Sequence, residues 1–291
     1  MNTWNDELPP ELPPATPGGR IAGILRLAAF LTLTFVCVAL FLCGRFLHRR
    51  VSRQIRFHFL VAKLWARASL WLLGLRLCVR GRPIEAGALV ANHSSWIDIM
   101  SLRSVTLIYF VAKSEVRSWP IVGLITHICG TIYIERRRSQ AKRQEEALRE
   151  RIAESQLLCF FPEATSTDGL RVLPFKSSLF SVFFHDGEGE SDGRGADLLV
   201  QPVTVRYRPP PGSALPPSFH AWWGDMSLER HIWAVMSRSF GGRADVVFHE
   251  PVNPRDFPNR KALAEHCQAV VALGMEEGVP HRSNEVGAAR S

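Results

Sequence analysis

The sequence predicts an α/β fold, in which a mostly parallel sheet is flanked by helices and preceded by an N-terminal membrane-anchoring helical region. Six short apolar runs, from GALVAN at Gly87 to ADVVFHEPV at Ala244, are typical of buried strands. The helical period of about 3.6 residues recurs between these runs, over residues 97–103, 139–154, 227–239 and 261–273. Because strands and helices alternate along the chain, we expect a largely parallel sheet with helices on its faces.

The N-terminal part of the chain begins with a leader and an apolar segment. Residues 1–19 are rich in proline and acidic residues, which predicts a disordered leader. Residues 20–44 contain the run IAGILRLAAFLTLTFVCVALFLCG, in which Arg26 is the only charge, and they predict a transmembrane helix. A cleaved signal peptide is disfavoured, because the run lacks a small-residue cleavage site and follows an acidic leader.

A basic segment, residues 45–79, follows the apolar run. Its first part carries five arginines, which by the positive-inside rule place the rest of the chain on the cytosolic face of the cytoplasmic (inner) membrane. Residues 57–75 follow the helical period, with Lys63 and Arg67 on one face and apolar side chains on another. This pattern predicts an amphipathic helix in the membrane interface, since a second spanning helix would bury both cations.

The remaining chain is expected to form one globular domain, residues 80–277, and a disordered tail, residues 278–291. The net charge is +8, with 35 Lys and Arg against 27 Asp and Glu, and suits an anionic surface. Nucleic acid is disfavoured as a partner, because aromatic and basic residues are not interleaved and the juxtamembrane arginines supply much of the excess. Six scattered cysteines without close pairs argue against a disulfide framework or a zinc site.

The first motif with candidate catalytic residues is NHSSWID, which follows the strand GALVA. At a strand-to-helix turn, Asp98 can orient the imidazole of His93 and stabilise its cation, leaving the other ring nitrogen to accept a proton. A similar pair, His220 and Asp225, occurs in HAWWGD, so the spacing by itself does not identify a site. His93 is favoured because it lies at the carboxyl end of a strand, where open α/β sheets bind ligands. His220 is interpreted as a packed histidine.

Three further motifs follow predicted strands or lie within them. FPEATS follows LLCFF and directs Glu163 and Thr165 into the same crevice, although an ordinary turn and helix cap is an equal alternative. GTIYIER ends on Arg136, whose planar guanidinium suits a phosphate or carboxylate. Pro202 stands inside a predicted strand, which favours an edge or a bulge near a site.

The order of these motifs resembles a known family. NHSSWID, GTIYIER, FPEATS and VQPVTV, spread from residue 92 to residue 205, resemble the four sequence blocks of the glycerolipid acyltransferase family, which includes bacterial 1-acyl-sn-glycerol-3-phosphate acyltransferases. KSEVRSWPIVG, from Lys113, is similar to the segment before the second block. TDGLRVLPFKSSLF, residues 167–180, resembles a branch that includes lyso-ornithine lipid acyltransferases.

The resemblance implies a role for each matched residue. His93 is implied as the general base and Asp98 as its orienting partner. The residues implied in substrate binding are Arg136, Glu163, Thr165 and Lys113, with Pro202 as a shaping residue.

Two positions depart from the family pattern. Ala164 and Ser178 stand where the family usually or commonly has glycine. If the backbone at Ala164 is left-handed, the alanine costs about 1–2 kcal/mol.

The expected reaction is transfer of a fatty acyl group from acyl carrier protein or coenzyme A to the free hydroxyl of 1-acylglycerol-3-phosphate, a step of phospholipid biosynthesis. Lyso-ornithine lipid is the alternative acceptor, and a non-catalytic membrane-anchored lipid-binding protein is the alternative of a different class. No acyl-enzyme is expected, because a G-x-S-x-G pattern is absent. No cofactor is expected either, and a metal site on His93, Asp98 and Glu163 would lack a second nearby histidine.

Overall fold

The computed structural model describes residues 4, 8–51, 57–119, 122–134, 148, 151, 154, 156–184 and 198–277. The predicted tail lies outside these ranges, as does most of the helix predicted over residues 139–154.

The described residues form a seven-stranded sheet with the strand order β1-β7-β6-β2-β5-β3-β4. The strands are β1 (Leu75–Arg80), β2 (Gly87–Ala91), β3 (Tyr109–Lys113), β4 (Ile132–Ile134), β5 (Leu157–Phe160), β6 (Val200–Arg208) and β7 (Gly242–Phe248). Only β6 and β7 pair in antiparallel fashion, and the other neighbouring strands are parallel. The mostly parallel sheet predicted from the sequence is therefore confirmed, and β1 adds a strand to the six predicted apolar runs.

Helices cover both faces of the sheet. They are α1 (Pro17–Arg50), α2 (Phe57–Leu72), α3 (Ile97–Arg103), α4 (Val122–Ile128), α5 (Leu228–Arg238) and α6 (Arg260–Glu277), with 3-10 turns at Ser114–Ser118, Ser177–Phe183 and Pro254–Asp256. One apolar core lies between the sheet and helices α2, α3 and α5, and a second lies under α6 and the turn at Ser177–Phe183. All five residues of β2 are buried, as expected for a central parallel strand covered on both faces.

Helix α1 is a candidate membrane anchor. Its 34 residues span about 50 Å at about 1.5 Å per residue, and the hydroxyl of Thr16 caps its first turn by accepting the N–H of Gly19. Among the described helices it alone has the length and composition to cross a membrane, with a mean hydropathy of 2.5 over the best window. Large apolar side chains are exposed along it: Ile21, Ile24, Leu25, Leu31, Phe35, Val36, Leu40, Leu42, Phe46 and Leu47.

The N-terminal third of α1 also packs on the globular domain. A Cβ at Gly19 would lie 2.6 Å from the carbonyl oxygen of Ser237, so glycine permits a close approach of α1 to α5. The guanidinium of Arg26 donates to the carbonyl of Ser239 at 2.6 Å and stacks over the ring of Phe240. Arg26 therefore satisfies a carbonyl group just beyond α5, and the only charge of the apolar run is used for docking.

Helix α2 packs between α1 and α3 and also has an exposed apolar stripe. The indole N–H of Trp65 donates to the hydroxyl of Thr34 on α1 at 3.0 Å, and Arg67 donates to the carbonyl of Ser104 after α3. The stripe consists of Phe57, Leu60, Leu64 and Trp71, which are 45–75% exposed.

Pro202 lies in the interior of the sheet, because β6 is flanked by β2 and β7. Of the two sequence-based alternatives, the edge strand is therefore wrong. The bulge agrees with the register beside Pro202, because Val203 pairs with Phe248 whereas Val200 bridges to Val252, which leaves one extra residue on the partner side. The proline is tolerated because the antiparallel ladder with β7 ends at Val203, paired with Phe248. The carbonyl of Pro202 still accepts the N–H of His249 at 3.1 Å.

Candidate active site

The turn between β2 and α3 brings the imidazole of His93 and the carboxylate of Asp98 together. His93 Nδ1 lies 2.7 Å from Asp98 Oδ2, which also accepts the backbone N–H groups of Ser94 and Ser95 at 2.9 and 3.0 Å. Because the carboxylate oxygen accepts, Nδ1 is the protonated nitrogen, and Nε2 is left as the basic one. The side chain of His93 is 24% exposed, whereas that of Asp98 is fully buried.

Asp98 has a further partner that the sequence analysis does not identify. The hydroxyl of Tyr207, on β6, donates to Asp98 Oδ1 at 2.7 Å and lies 3.1 Å from the hydroxyl of Ser101. Burial, together with the negative charge of Asp98, raises the pKa of Tyr207 well above its ordinary value, so the phenol keeps its proton. Both oxygens of Asp98 are thus held by donors.

Two neighbouring strands fix the position of His93. The side-chain amide of Asn92 donates to the carbonyl of Val205 and accepts its N–H, both at 2.8 Å, which ties the end of β2 to β6. The imidazole stacks on the ring of Phe161 after β5, with ring centroids 4.3 Å apart, and Phe161 stacks in turn on Phe110. One face of the imidazole is therefore covered by an apolar ring.

Glu163 holds backbone rather than presenting a carboxylate to solvent. Its Oε1 accepts the N–H of His93 at 2.6 Å, its Oε2 accepts the N–H of Leu173 at 2.8 Å, and the residue is 2% exposed. Burial raises the pKa of Glu163 to about 8, and the two backbone hydrogen bonds partly offset that rise. The loop after β5 is thereby joined to the loop that carries His93.

Thr165 lies on the same loop and contacts the leader. Its hydroxyl oxygen is 3.4 Å from the backbone N–H of Trp4, which is buried among Trp223 and its neighbours. Two residues further on, the N–H of Thr167 donates to the carbonyl of His93 at 3.0 Å. The backbone of His93 is therefore held on its N–H side by Glu163 and on its carbonyl side by Thr167.

The two departures from the family pattern have different structural consequences. Ala164 has a φ of 60° and is the one non-glycine residue with positive φ in the part of the chain that the structure describes. The left-handed conformation that would explain a glycine there is present, so the alanine is strained. Ser178 lies in a 3-10 turn without positive φ and is exposed, so no such strain arises there.

Three more residues were singled out in the sequence: Lys113, Pro202 and Arg136. Lys113 is half-buried at the carboxyl end of β3, on the same edge of the sheet as His93, but no described contact joins the two side chains. Pro202 lies one residue before Val203, which pairs with the last residue of β2, Ala91. Arg136 lies outside the described residues.

A third loop, residues 218–226, completes the surroundings of His93. The N–H of Trp222 donates to the carbonyl of Ser94 at 2.7 Å, and its half-buried indole meets that of Trp119 edge to face at 6.1 Å. Trp119 follows the turn after β3 and is 37% exposed. The HAWWGD motif therefore contributes an aromatic side chain beside the His93 loop. The adjacent tryptophans Trp222 and Trp223 are the feature of the sequence that points to it.

His220, of the same motif, is a core histidine. It is fully buried, its Nε2 lies 2.9 Å from the hydroxyl of Ser239, and its ring contacts Phe219. Burial lowers the pKa of His220 to about 3. It therefore stays neutral near pH 7, and Asp225 is not among its described partners.

Comparisons with known proteins confirm the resemblance to acyltransferases. A family model described as Acyltransferase matches residues 77–206. A lyso-ornithine lipid O-acyltransferase of Rhodobacter capsulatus is 41% identical over 273 residues, which cover 93% of this chain and 95% of that protein. A 1-acyl-sn-glycerol-3-phosphate acyltransferase of Neisseria gonorrhoeae is 34% identical over 162 residues, which cover 54% of this chain and 58% of that protein.

The fold also matches a solved structure. The crystal structure of the 1-acyl-sn-glycerophosphate acyltransferase PlsC from Thermotoga maritima superposes with a TM-score of 0.63 at 21% identity, covering 89% of this chain and 97% of that one. At this identity the likeness shows the shared fold. With a relative 41% identical over nearly its whole length and a matching family model, the chain belongs to the acyltransferase family.

Proposed function

We propose that this acyltransferase transfers a fatty acyl group from a thioester to the free hydroxyl of lyso-ornithine lipid. The observation that carries the chemistry is the His93–Asp98 pair, in which Nδ1 is engaged and the imidazole is still 24% exposed. The acceptor is proposed from the relative in Rhodobacter capsulatus, which aligns with 93% of the chain. This reverses the order of acceptors expected from the sequence motifs.

In the proposed mechanism His93 is the general base. Its Nε2 removes the proton from the lysolipid hydroxyl while that oxygen attacks the thioester carbonyl carbon. The tetrahedral intermediate collapses, the C–S bond breaks, and the imidazolium returns the proton to the leaving thiolate, so an ester and a free thiol are formed. Asp98 keeps the imidazole in the reactive tautomer and stabilises its cation. No covalent bond to the protein forms at any stage.

The second candidate acceptor is 1-acylglycerol-3-phosphate. It is supported by the relative in Neisseria gonorrhoeae, whose identity with this chain is lower and extends over about half of it. The donor in either case is a thioester of acyl carrier protein or of coenzyme A.

The proposed location is the cytosolic face of the cytoplasmic membrane, with α1 and α2 embedded from that side as the anchor. Both ends of α1 contact the domain, through Arg26 to the carbonyl of Ser239 and through Arg45 to the carbonyl of Ile128, so in this arrangement α1 does not cross the bilayer. The exposed apolar side chains of α1 and the apolar stripe of α2 support burial in lipid. Arg45, Arg49 and Arg50 at the end of α1 support the cytosolic face, because its anionic lipids attract basic side chains next to the membrane. Such an anchor holds the active site beside an acceptor that resides in the bilayer.

The test is acyl transfer by the purified full-length chain in lipid vesicles. Acyl carrier protein and coenzyme A thioesters are each supplied with lyso-ornithine lipid or with 1-acylglycerol-3-phosphate, and vesicles without protein are the control. Formation of ornithine lipid at the higher kcat/KM supports the proposal. A higher kcat/KM for the phosphate acceptor would make the second candidate correct, and no product with folded protein would refute both.

A further inference from the structure

Three arginines lie side by side on one face of the sheet, across strands β1, β7 and β6. In the register of these strands Arg76 is opposite Arg243, and Arg243 is opposite Arg208. Neighbouring strands are about 4.8 Å apart, and like charges at facing positions destabilise a sheet. Stability therefore does not explain this arginine row, Arg76–Arg243–Arg208, and residues that break a local rule in this way are often functional.

The buried carboxylate of Asp245 contacts the arginine row without neutralising all of it. Its Oδ2 lies 3.1 Å from Nε of Arg208, and its Oδ1 accepts a hydrogen bond from Nε of Arg243. Arg76 is exposed and takes no part in either contact, and the side chain of Arg208 is still 39% exposed. The row therefore presents positive charge to solvent.

A fourth arginine, Arg206, extends this charge toward the end of α6. It lies on the same face of β6, two residues before Arg208 and opposite Asp245, and its Nη1 donates to the carbonyl of Met275. Burial and the positive charge of Arg208 lower the pKa of Arg206, whereas Asp245 acts in the opposite direction. Because two neighbouring cations repel each other here, an anion bound between them would be stabilising.

These arginines lie at the same end of the sheet as the catalytic pair. Tyr207 stands between Arg206 and Arg208 in β6, and successive side chains of a strand point to opposite faces. On its own face the hydroxyl of Tyr207 holds Asp98, the partner of His93. The arginine row and the catalytic pair are therefore separated by little more than the thickness of the sheet.

The face that carries the arginine row is turned away from the proposed membrane anchor. Leu75, which precedes Arg76, and Tyr207, which precedes Arg208, belong to the apolar core that includes Leu70 of α2. By the alternation of side chains, Arg76 and Arg208 point away from α2. A ligand that reaches them from the cytosol is therefore favoured over a lipid of the bilayer.

We propose that the arginine row, together with Arg206, is the docking surface for an acidic acyl carrier protein. The inference rests on the proposed function and chooses between its two thioester donors. The row extends over three strands, which span about 10 Å of a sheet face. A small donor such as coenzyme A is normally bound in a concave site, whereas a row of cations on a sheet face suits a protein surface with several carboxylates.

The competing interpretation is an array that serves only the fold. In that case Arg208 and Arg243 hold the buried charge of Asp245, and Arg76 has no role. The two interpretations differ at Arg76, which can be changed without touching Asp245. The variant Arg76→Glu should melt no lower than wild type, because a carboxylate opposite Arg243 replaces a repulsion by an attraction.

The experiment measures acyl transfer in vesicles with each of the two donors. Wild type, Arg76→Glu and Arg208→Gln receive the thioester of acyl carrier protein or of coenzyme A, with lyso-ornithine lipid or 1-acylglycerol-3-phosphate as acceptor. Arg260→Glu is the matched control, since it makes the same change of charge at an exposed arginine. Arg260 is the first residue of α6, at the opposite end of that helix from Met275.

We expect Arg76→Glu to raise KM for the acyl carrier protein thioester roughly 3- to 10-fold with little change in kcat, and Arg208→Gln to raise it less. The increase should shrink at high ionic strength, because salt screens exposed charges. KM for the coenzyme A thioester should stay at the wild-type value, and Arg260→Glu should behave like wild type with both donors.

Four results would overturn the proposal while leaving the acyl transfer established. They are a wild type that uses only the coenzyme A thioester, an unchanged KM in Arg76→Glu, an equal rise for both donors, and an equal rise in Arg260→Glu. A folded wild-type protein that transfers from neither donor to either acceptor would instead refute the proposed function.

Discussion

The hydroxyl of Tyr207 donates to Asp98 Oδ1 at 2.7 Å, on the side of the carboxylate opposite to His93. Asp98 is fully buried, and burying its carboxylate is costly unless it is hydrogen-bonded. This donor and the two backbone N–H groups at Oδ2 provide those hydrogen bonds. Tyr207 therefore acts on His93 through Asp98, as a positioning residue rather than as a group that touches substrate.

Replacement of Tyr207 by phenylalanine should reduce both stability and turnover. The change leaves Asp98 Oδ1 without its donor, which typically costs about 1–3 kcal/mol, and it loosens the orientation of the imidazole. We expect a lower melting temperature and a lower kcat, with KM for the acceptor little changed. The control is Tyr133→Phe, which removes a 2.7 Å hydrogen bond to Thr126 near the other edge of the sheet. Equal kcat losses in both variants would argue against a link from Tyr207 to catalysis.

Glu163 should make stability depend on pH. Its pKa in the folded chain is about 8 against an ordinary 4.5, so the native state binds the proton more tightly than the unfolded state does. The contribution is complete below about pH 4.5 and is lost as the pH rises through about 8. Melting temperatures recorded across this window should fall more steeply for wild type than for Glu163→Gln, which does not titrate. Parallel curves would show that Glu163 does not titrate in this range.

Ala164→Gly should stabilise the protein. The substitution relieves the left-handed strain at a φ of 60°, and after the greater chain entropy of glycine is subtracted we expect a gain of about 1 kcal/mol. Ser178→Gly is the comparison, because Ser178 has no positive φ and should become slightly less stable. Denaturant unfolding of the two variants measures the difference, and a loss of stability in Ala164→Gly would contradict the strain.

Arg26→Leu separates the docking of α1 from its affinity for lipid. The variant removes the charged hydrogen bond to the carbonyl of Ser239, a type of bond worth about 1.5–3 kcal/mol, while it makes the helix more apolar. We expect a lower melting temperature with undiminished recovery in the membrane fraction. Arg20→Leu, at an exposed position of the same helix, should leave the melting temperature unchanged. If Arg26→Leu melts like wild type, the contact with α5 is not stabilising.

The sequence predicts those features whose causes are local. The strand GALVA is recognised because a parallel strand buried on both faces consists of apolar residues throughout. His93 and Asp98 stand five positions apart, across a single turn, so their encounter is foreseeable from spacing.

Features that depend on distant pairing are not visible in the sequence. Tyr207 is 109 positions from Asp98, and Arg26 is 213 positions from Ser239. The resemblance implies that Glu163 holds the acceptor head group, whereas its hydrogen bonds with backbone N–H groups form only because two distant loops meet in the fold. The interior position of Pro202 follows from the strand order, and the tolerance of a proline there depends on where the ladder with β7 ends; strand composition reveals neither.

The most direct test of the central claim is the kcat of His93→Ala with acyl thioester and lyso-ornithine lipid in vesicles. General-base catalysis predicts a loss of roughly 10²–10⁴-fold, with a melting temperature close to that of wild type. His266→Ala, at an exposed histidine of α6, should keep full activity. A folded His93→Ala protein with near wild-type turnover would contradict the account, because no other described histidine is paired with Asp98.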